Sequence, residues 1–437
     1  MTAEVAILNK TAVALAADSA ITLSAGADQH KIFDSADKLF ELTQGNAIGI
    51  MINSDMSFME APLPVLIKEY RQSAPRFARV KDAGEHFLEY LDTFARHSPE
   101  RIKIQALEAA ATPIFESIND QARKSWLERI ADEETGGLRE EFRLTPDRVS
   151  EVAREEIERQ LEILSQIVES LEPASFIGNG PVTLTANEQE VLSRIAPEAL
   201  PTASDEQRER SIELARRAML ARGTGRSTTG IIVAGFGSDE LFPTLVSFEV
   251  FGVVGDRLKY AETNYVDIDR DGHRARVIPF AQREMVERFL YGLDSTLKDQ
   301  VIDFCKQAVP AISDEVINSL ELTDADASAL TSRAEEAEEA FYENLSTTAF
   351  EAIKRRSELE IDEMVEFMPK PEMARMAEAL VNLTSIKRRV SRGFETVGGP
   401  IDVAIISKAE GFVWCARKHY FPPELNSRYF ARIGPRE

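Results

Sequence analysis

Residues 2–22 read TAEVAILNKTAVALAADSAIT. Two short apolar runs, Glu4 to Asn9 (EVAILN) and Ala12 to Ala17 (AVALAA), flank Lys10-Thr11, the pattern of two strands joined by a tight hairpin. The runs are continuous rather than alternating, so both faces of each strand should be covered. A second pair follows: Lys38 to Leu42 (KLFEL) and Ala47 to Ile52 (AIGIMI), turning around Gln44-Gly45-Asn46.

Outward from this β-rich start the periodicity changes. From about Phe58 to Arg222 it is helical, and Ile157, Leu161, Leu164, Val168 and Leu171 recur at spacings of 4, 3, 4 and 3, an apolar seam. Between Glu128 and Glu172 stand 14 acidic and 6 basic residues, which reads as the solvated face of a helical hairpin or small bundle, or as a docking arm for another subunit. Ser204 followed by Gln207 is a capping-box pattern that opens the next helix.

Strands return at Thr229 to Ala234, Thr244 to Phe251 and Arg257 to Tyr260. Helices are predicted from about Ala281 to Leu320 and around Glu335 to Glu360, and Pro369 and Pro371 precede a helix from Glu372 to about Ser391. The chain closes with Ile401 to Ser407, a turn at Lys408 to Gly411, and Phe412 to Ala416, another hairpin. Strands and helices alternate in blocks, an α+β arrangement of two sheets with helices outside them.

Composition narrows the function classes. The chain has 437 residues and a formal net charge of −23, with a sequence pI near 4.8. Binding to nucleic acid through phosphates, or to anionic lipid, needs basic surface, so neither partner is expected. No run approaches the roughly 18 apolar residues of a membrane helix. Cys305 and Cys415 are too few for a disulfide framework, which favours a reducing cytoplasm. Five histidines without HExxH, and cysteines without CxxC, suggest no metal site, and no cofactor motif is present. Residues 223–230, GTGRSTTG, lack the GK[ST] ending of a P-loop and read as a turn before a strand.

The remaining chemical candidate is Thr2. Removal of Met1 would leave a threonine whose hydroxyl and α-amine sit on one residue. A threonine hydroxyl needs a base within reach, and an α-amine, with a pKa of about 7.7–8.0, is better matched to neutral pH than lysine at about 10.4.

The order threonine, strand, turn, alanine-ending strand, Asp18-Ser19 and nearby Thr22, followed by KLFEL, resembles the start of a mature proteasome β subunit, a member of the N-terminal-nucleophile (Ntn) hydrolases. Glu395 to Ile406 (ETVGGPIDVAII) resembles the family's helix end, glycine pair and final strands. The resemblance implies a four-layer αββα Ntn-hydrolase sandwich with long helical insertions. It covers roughly 1–100, 226–300 and 365–425, and implies core segments at 1–100, 226–300 and 365–437, with an acidic helical insertion at 101–225 and a second at 301–364. It implies that Thr2 is nucleophile and base, that Lys38 lowers the hydroxyl's pKa, and that Asp18 orients that lysine. Lys31 competes for the lysine's role, because the stretch between Asp18 and Lys38 is longer than is usual in the family. The backbone N–H near Asn53 would serve the oxyanion. Ile21, Met51 and Asp55 match substrate-binding positions. Where the family has Asp and, three residues on, Ser to support the amine, this chain has Glu395 and Gly398. The serine at the start of the third core helix has no match, Gln282 being the nearest polar residue.

The implied activity is hydrolysis of a peptide or other amide bond without a cofactor, by a protein that self-associates and takes an unfoldase or other protein partner. Gly398 and the unmatched serine leave open a non-catalytic scaffold of the same fold, and a changed pocket leaves open a small-molecule amidase.

Overall fold

The computed structural model describes residues 2–24, 30–130, 146–223, 228–268, 272–320, 322–390, 397–428 and 431, and of 22–24, 30–32, 146, 147 and 423 the backbone alone. The opening hairpin is formed as its sequence requires: β1 (Ala3–Asn9) and β2 (Ala12–Ala17) pair antiparallel, Ala6 opposite Leu15. Asn9 closes the turn, its Oδ1 accepting from the Thr11 amide at 2.9 Å and the Thr11 hydroxyl at 2.7 Å. Its Nδ2 donates to the carbonyls of Val365 and Met368, so a fully buried amide is satisfied.

After a ribbon of β3 (Ile21–Ser24) and β4 (His30–Phe33) come β5 (Leu39–Glu41) and β6 (Ala47–Ser54), then the short β7 (Ser57–Phe58) and β8 (Ala61–Pro62). Later strands are β9 (Ser175–Phe176), β10 (Thr229–Phe236), β11 (Thr244–Val254), β12 (Arg257–Asp267), β13 (Ala275–Ala281), β14 (Asp402–Ser407) and β15 (Gly411–Ala416). They form a five-stranded sheet in the order β13-β1-β2-β14-β15 and a six-stranded sheet in the order β5-β6-β10-β11-β12-β9, each wholly antiparallel.

Two-fold alternation assigns the faces. Ala6, Leu8, Val13 and Leu15 point between the sheets and meet Met51, Ile232, Leu245 and Ile406. Ala3, Val5, Ile7, Ala12, Ala14 and Ala16 point outward onto the helix at Lys370–Val390. Both faces of the first two strands are therefore buried, which is why their sequence is continuously apolar.

The helices are α1 (Leu63–Ser73), α2 (Val80–Arg96), α3 (Glu100–Ile130), α4 (Pro146–Ser170), α5 (Ala186–Ala199) and α6 (Asp205–Leu220), then α7 (Glu284–Tyr291), α8 (Ser295–Asn318), α9 (Asp324–Asn344), α10 (Glu351–Glu366) and α11 (Lys370–Val390). α1 and α2 cover the outer face of the six-stranded sheet, Leu66, Phe87 and Leu91 packing on Ile50, Ile231 and Phe248. Gly84 permits that approach, since a Cβ there would lie 2.8 Å from the Phe248 ring. α10 and α11 cover the other sheet through Val365, Ala377 and Val381.

α3 to α6 form a bundle with its own core of Leu107, Phe115, Ile157, Leu161, Leu192 and Leu214. The capping box at Ser204 and Gln207 is present, and a second stands at Thr185 and Glu188. α8 and α9 make an antiparallel arm in which no described residue is buried, joined to α10 by a π-helical turn at Leu345–Phe350.

The structure departs from the sequence reading most at two boundaries. The helix expected from Ala281 begins at Glu284, and Ala281 instead ends β13, a strand the sequence reading missed. β13 is the edge of its sheet, where Pro279 costs no ladder hydrogen bond. β12 runs on to Asp267 rather than ending at Tyr260, because its second half pairs with β11 through a bulge while carrying polar residues such as Glu262 and Asn264 on a half-covered face.

Candidate active site

Asp18 stands at the end of β2, where the small alanines of that strand let the chain run between α11 and the second sheet. Its Oδ1 accepts from the Ala3 amide at 3.1 Å and from Lys38 Nζ at 2.6 Å. Its Oδ2 accepts from the amides of Gly398 at 3.0 Å and Ala20 at 3.4 Å. One carboxylate thus ties together β1, the start of β5 and the segment leading into β14. The Asp18 carbonyl neighbour Ser19 is fastened to the same segment, its amide donating to the Gly398 carbonyl at 3.2 Å and its Oγ to the Pro400 carbonyl at 2.5 Å.

Lys38 is buried to its ammonium, and its backbone carbonyl accepts from the Ile52 amide at 2.9 Å, which fixes it beside β6. A buried ion pair is costly to desolvate, and holds only where geometry and further hydrogen bonds repay that cost. The three backbone amides on Asp18 are those further bonds. Among the described residues, Asp18 is the one hydrogen-bond partner of Lys38 Nζ.

Thr2 precedes β1, its carbonyl accepting from the Gln282 amide at 3.1 Å. Alternation places its side chain on the face of β1 that carries Glu4, Ala6 and Leu8, toward the other sheet. It is 3% exposed, and its Oγ1 has no hydrogen-bond partner among the described residues. A buried hydroxyl left in that state requires an explanation, a reactive role being one.

Glu4 was missed by sequence reasoning. Its carboxyl is fully buried between the sheets, Oε2 accepting from Asn53 Nδ2 at 3.1 Å and Oε1 having no partner among the described residues. Burial pushes its pKa up to about 8, against the opposing pull of Lys38 and of the Asn53 hydrogen bond, while the Asp18 charge pushes the same way as burial. A signal for it existed: one acidic residue inside a run whose two faces are both covered, EVAILN.

Asn53 is held by the gap opposite it. Gly230 is its cross-strand partner, and a Cβ on Gly230 would lie 2.2 Å from Asn53 Oδ1. Asn53 therefore meets Glu4 through its side chain, whereas its expected contribution is a backbone N–H.

The other sequence candidates are distributed as follows. Met51 is wholly buried among the intersheet residues, opposite Leu39. Asp55 lies at a cleft lined by Ser57, Glu60, Gln105, Thr229 and Phe251, its carboxylate accepting from the Ser57 amide and hydroxyl at 3.0 and 2.9 Å. Ile21 is half-buried at the start of β3, paired with Phe33. Lys31 is in β4, with its side chain outside the described residues, and Glu395 lies outside them altogether. Gly398 acts through its backbone. Gln282 gives its amide to Thr2, and its Oε1 accepts from Arg388 Nε at 2.5 Å.

No protein-family model and no curated protein matches the chain. Among solved structures it is similar to "Anbu (Gly-1) mutant from Hyphomicrobium sp. strain MC1", at 10% sequence identity and a TM-score of 0.26, over 99% of this chain and 95% of that one. A likeness at that level fixes neither the fold nor the activity. No described helix is long and apolar enough to cross a membrane.

Proposed function

We propose that this chain is a proteasome-like N-terminal threonine hydrolase that cleaves a peptide or other amide bond through an acyl-enzyme. The observation that carries the reading is the Thr2 hydroxyl, buried and without a hydrogen-bond partner among the described residues, next to a strand that Asp18 fastens to Lys38 through the Ala3 amide. With Met1 removed, the Thr2 Oγ attacks the carbonyl carbon while its proton passes to the α-amine. In this reading the Lys38 ammonium favours negative charge on that oxygen, and Asp18 keeps the ammonium in place. The amide C–N bond then breaks, the departing nitrogen takes the proton, and water releases the resulting ester. The fold this requires is the αββα sandwich of the Ntn hydrolases, with α3 to α6 and the α8–α9 arm as additions to it.

The experiment is intact and N-terminal peptide mass of the purified full chain, before and after a threonine-directed epoxyketone or β-lactone. A chain beginning at Thr2 that gains the probe's mass there, and loses hydrolysis and labelling on Thr2→Ala, is the expected result. Hydrolysis retained by Thr2→Ala would sink the reading.

A second reading, a scaffold of the same fold without catalysis, is favoured by Gly398, which offers no hydroxyl to the amine. An intact Met1 and no labelling would select it. Self-association belongs to either reading, and the exposed apolar residues of the α8–α9 arm favour it.

A further inference from the structure

Three polar groups between the sheets lack a full set of partners. Thr2 Oγ1 and Glu4 Oε1 have none among the described residues, and the Lys38 ammonium, with three N–H donors, has Asp18 alone. Thr2 and Glu4 are two residues apart on one face of β1, and Glu4 lies within the fields of both Lys38 and Asp18. These are the charged groups acting on it. Its cross-strand neighbours Ala17 and Phe280 are apolar, and the amide of Asn53 supplies the remaining contact.

We infer that Glu4 is a positioning residue of the Thr2 site: a buried carboxyl two residues from Thr2 on the same face of β1, held by Asn53 in the space left by Gly230. This rests on the reading of Thr2 as nucleophile, and adds to it a group that Thr2, Lys38 and Asp18 do not require.

The physical consequence follows from counting charge. Lys38 and Asp18 neutralise one another, so a protonated Glu4 leaves the cluster balanced, and the Thr2 oxygen can gain negative charge as it attacks. An ionised Glu4 adds a negative charge that opposes this. Burial keeps the carboxyl protonated at neutral pH, since its pKa is pushed up to about 8. Reactivity of Thr2 then rises as its amine loses a proton and falls again as Glu4 ionises.

The test uses the full chain and a β-lactone, whose ring C–O bond breaks as the Thr2 oxygen becomes acylated, the hydroxyl proton ending on the released alkoxide. Labelling rate is followed from pH 6 to 10. The wild type should give a bell, falling about tenfold for each pH unit above its turning point, and Glu4→Gln should lose the falling limb and hold a plateau. Asn53→Ala, which removes the hydrogen bond that lowers the Glu4 pKa, should move that limb to higher pH, and serves if Glu4→Gln does not fold. Profiles of Glu4→Gln and wild type that superimpose overturn the inference, as does an Asn53→Ala limb that stays in place.

Thermal unfolding supplies a readout that needs no activity. The Tm of Glu4→Gln should gain on that of the wild type between pH 5 and 9, because only the wild type carries a carboxyl that ionises over that window. Should the wild type never be labelled, the reading of Thr2 falls and the positioning role falls with it; a wild type that is labelled, with a Tm gap that stays constant, overturns the Glu4 role alone.

Discussion

The space between the two sheets and the α8–α9 arm invert the usual rule of burial in opposite ways. Between the sheets, Thr2, Glu4, Asp18, Lys38 and Asn53 are all buried polar side chains. On the arm, Phe304 is 69% and Ile312 62% exposed, and neither α8 nor α9 has a buried residue among those described. Polar groups are costly to bury and large apolar groups costly to expose, so each region holds something that folding of the single chain does not explain. The first is where chemistry is proposed, the second the exposed apolar surface on which self-association is proposed.

The comparison breaks most visibly at the buried ion pair. Lys38→Met leaves Asp18 buried without its cation and should lower unfolding free energy by about 3–5 kcal/mol, read by urea denaturation. A loss near zero would mean that water reaches the pair. Leu15→Ala, in the apolar part of the same layer, should cost about 2–5 kcal/mol, since close packing leaves a cavity that does not collapse.

Glu4 sharpens the polar side. Its folded pKa, about 8, lies above the ordinary carboxylate value, so the folded chain holds a proton that the unfolded chain gives up. Stability from this group is complete below about pH 4.5 and declines as pH rises through about 8, a change on the order of a few kcal/mol that Glu4→Gln should abolish. The arm should give the smallest effect. Ile312→Ser removes no buried contact and should change unfolding free energy of the monomer by less than about 0.5 kcal/mol. The same substitution should lower the assembled mass in light scattering if copies of this chain cover the arm.

Much of this architecture was legible before any coordinates. The paired apolar runs of the first 55 residues, the closing hairpin and the Ser204 cap are local patterns, and the structure forms each of them. β13 was not legible, because ARVIPFA carries a proline that excludes it from a central strand, and edge position is a property of the sheet rather than of the segment. Lys38 beside Asp18 was an expectation from motif order; the 2.6 Å contact came from the fold.

Local sequence determined most of the strands and helices and the faces they cover, because side-chain periodicity and capping act over a few residues. The tertiary structure alone decided that Glu4, one charge in an apolar run, faces Asn53 and the Lys38–Asp18 pair. That meeting spans β1, β2, β5 and β6 and the gap at Gly230, and depends on the register between strands and the distance between sheets, which no single segment encodes.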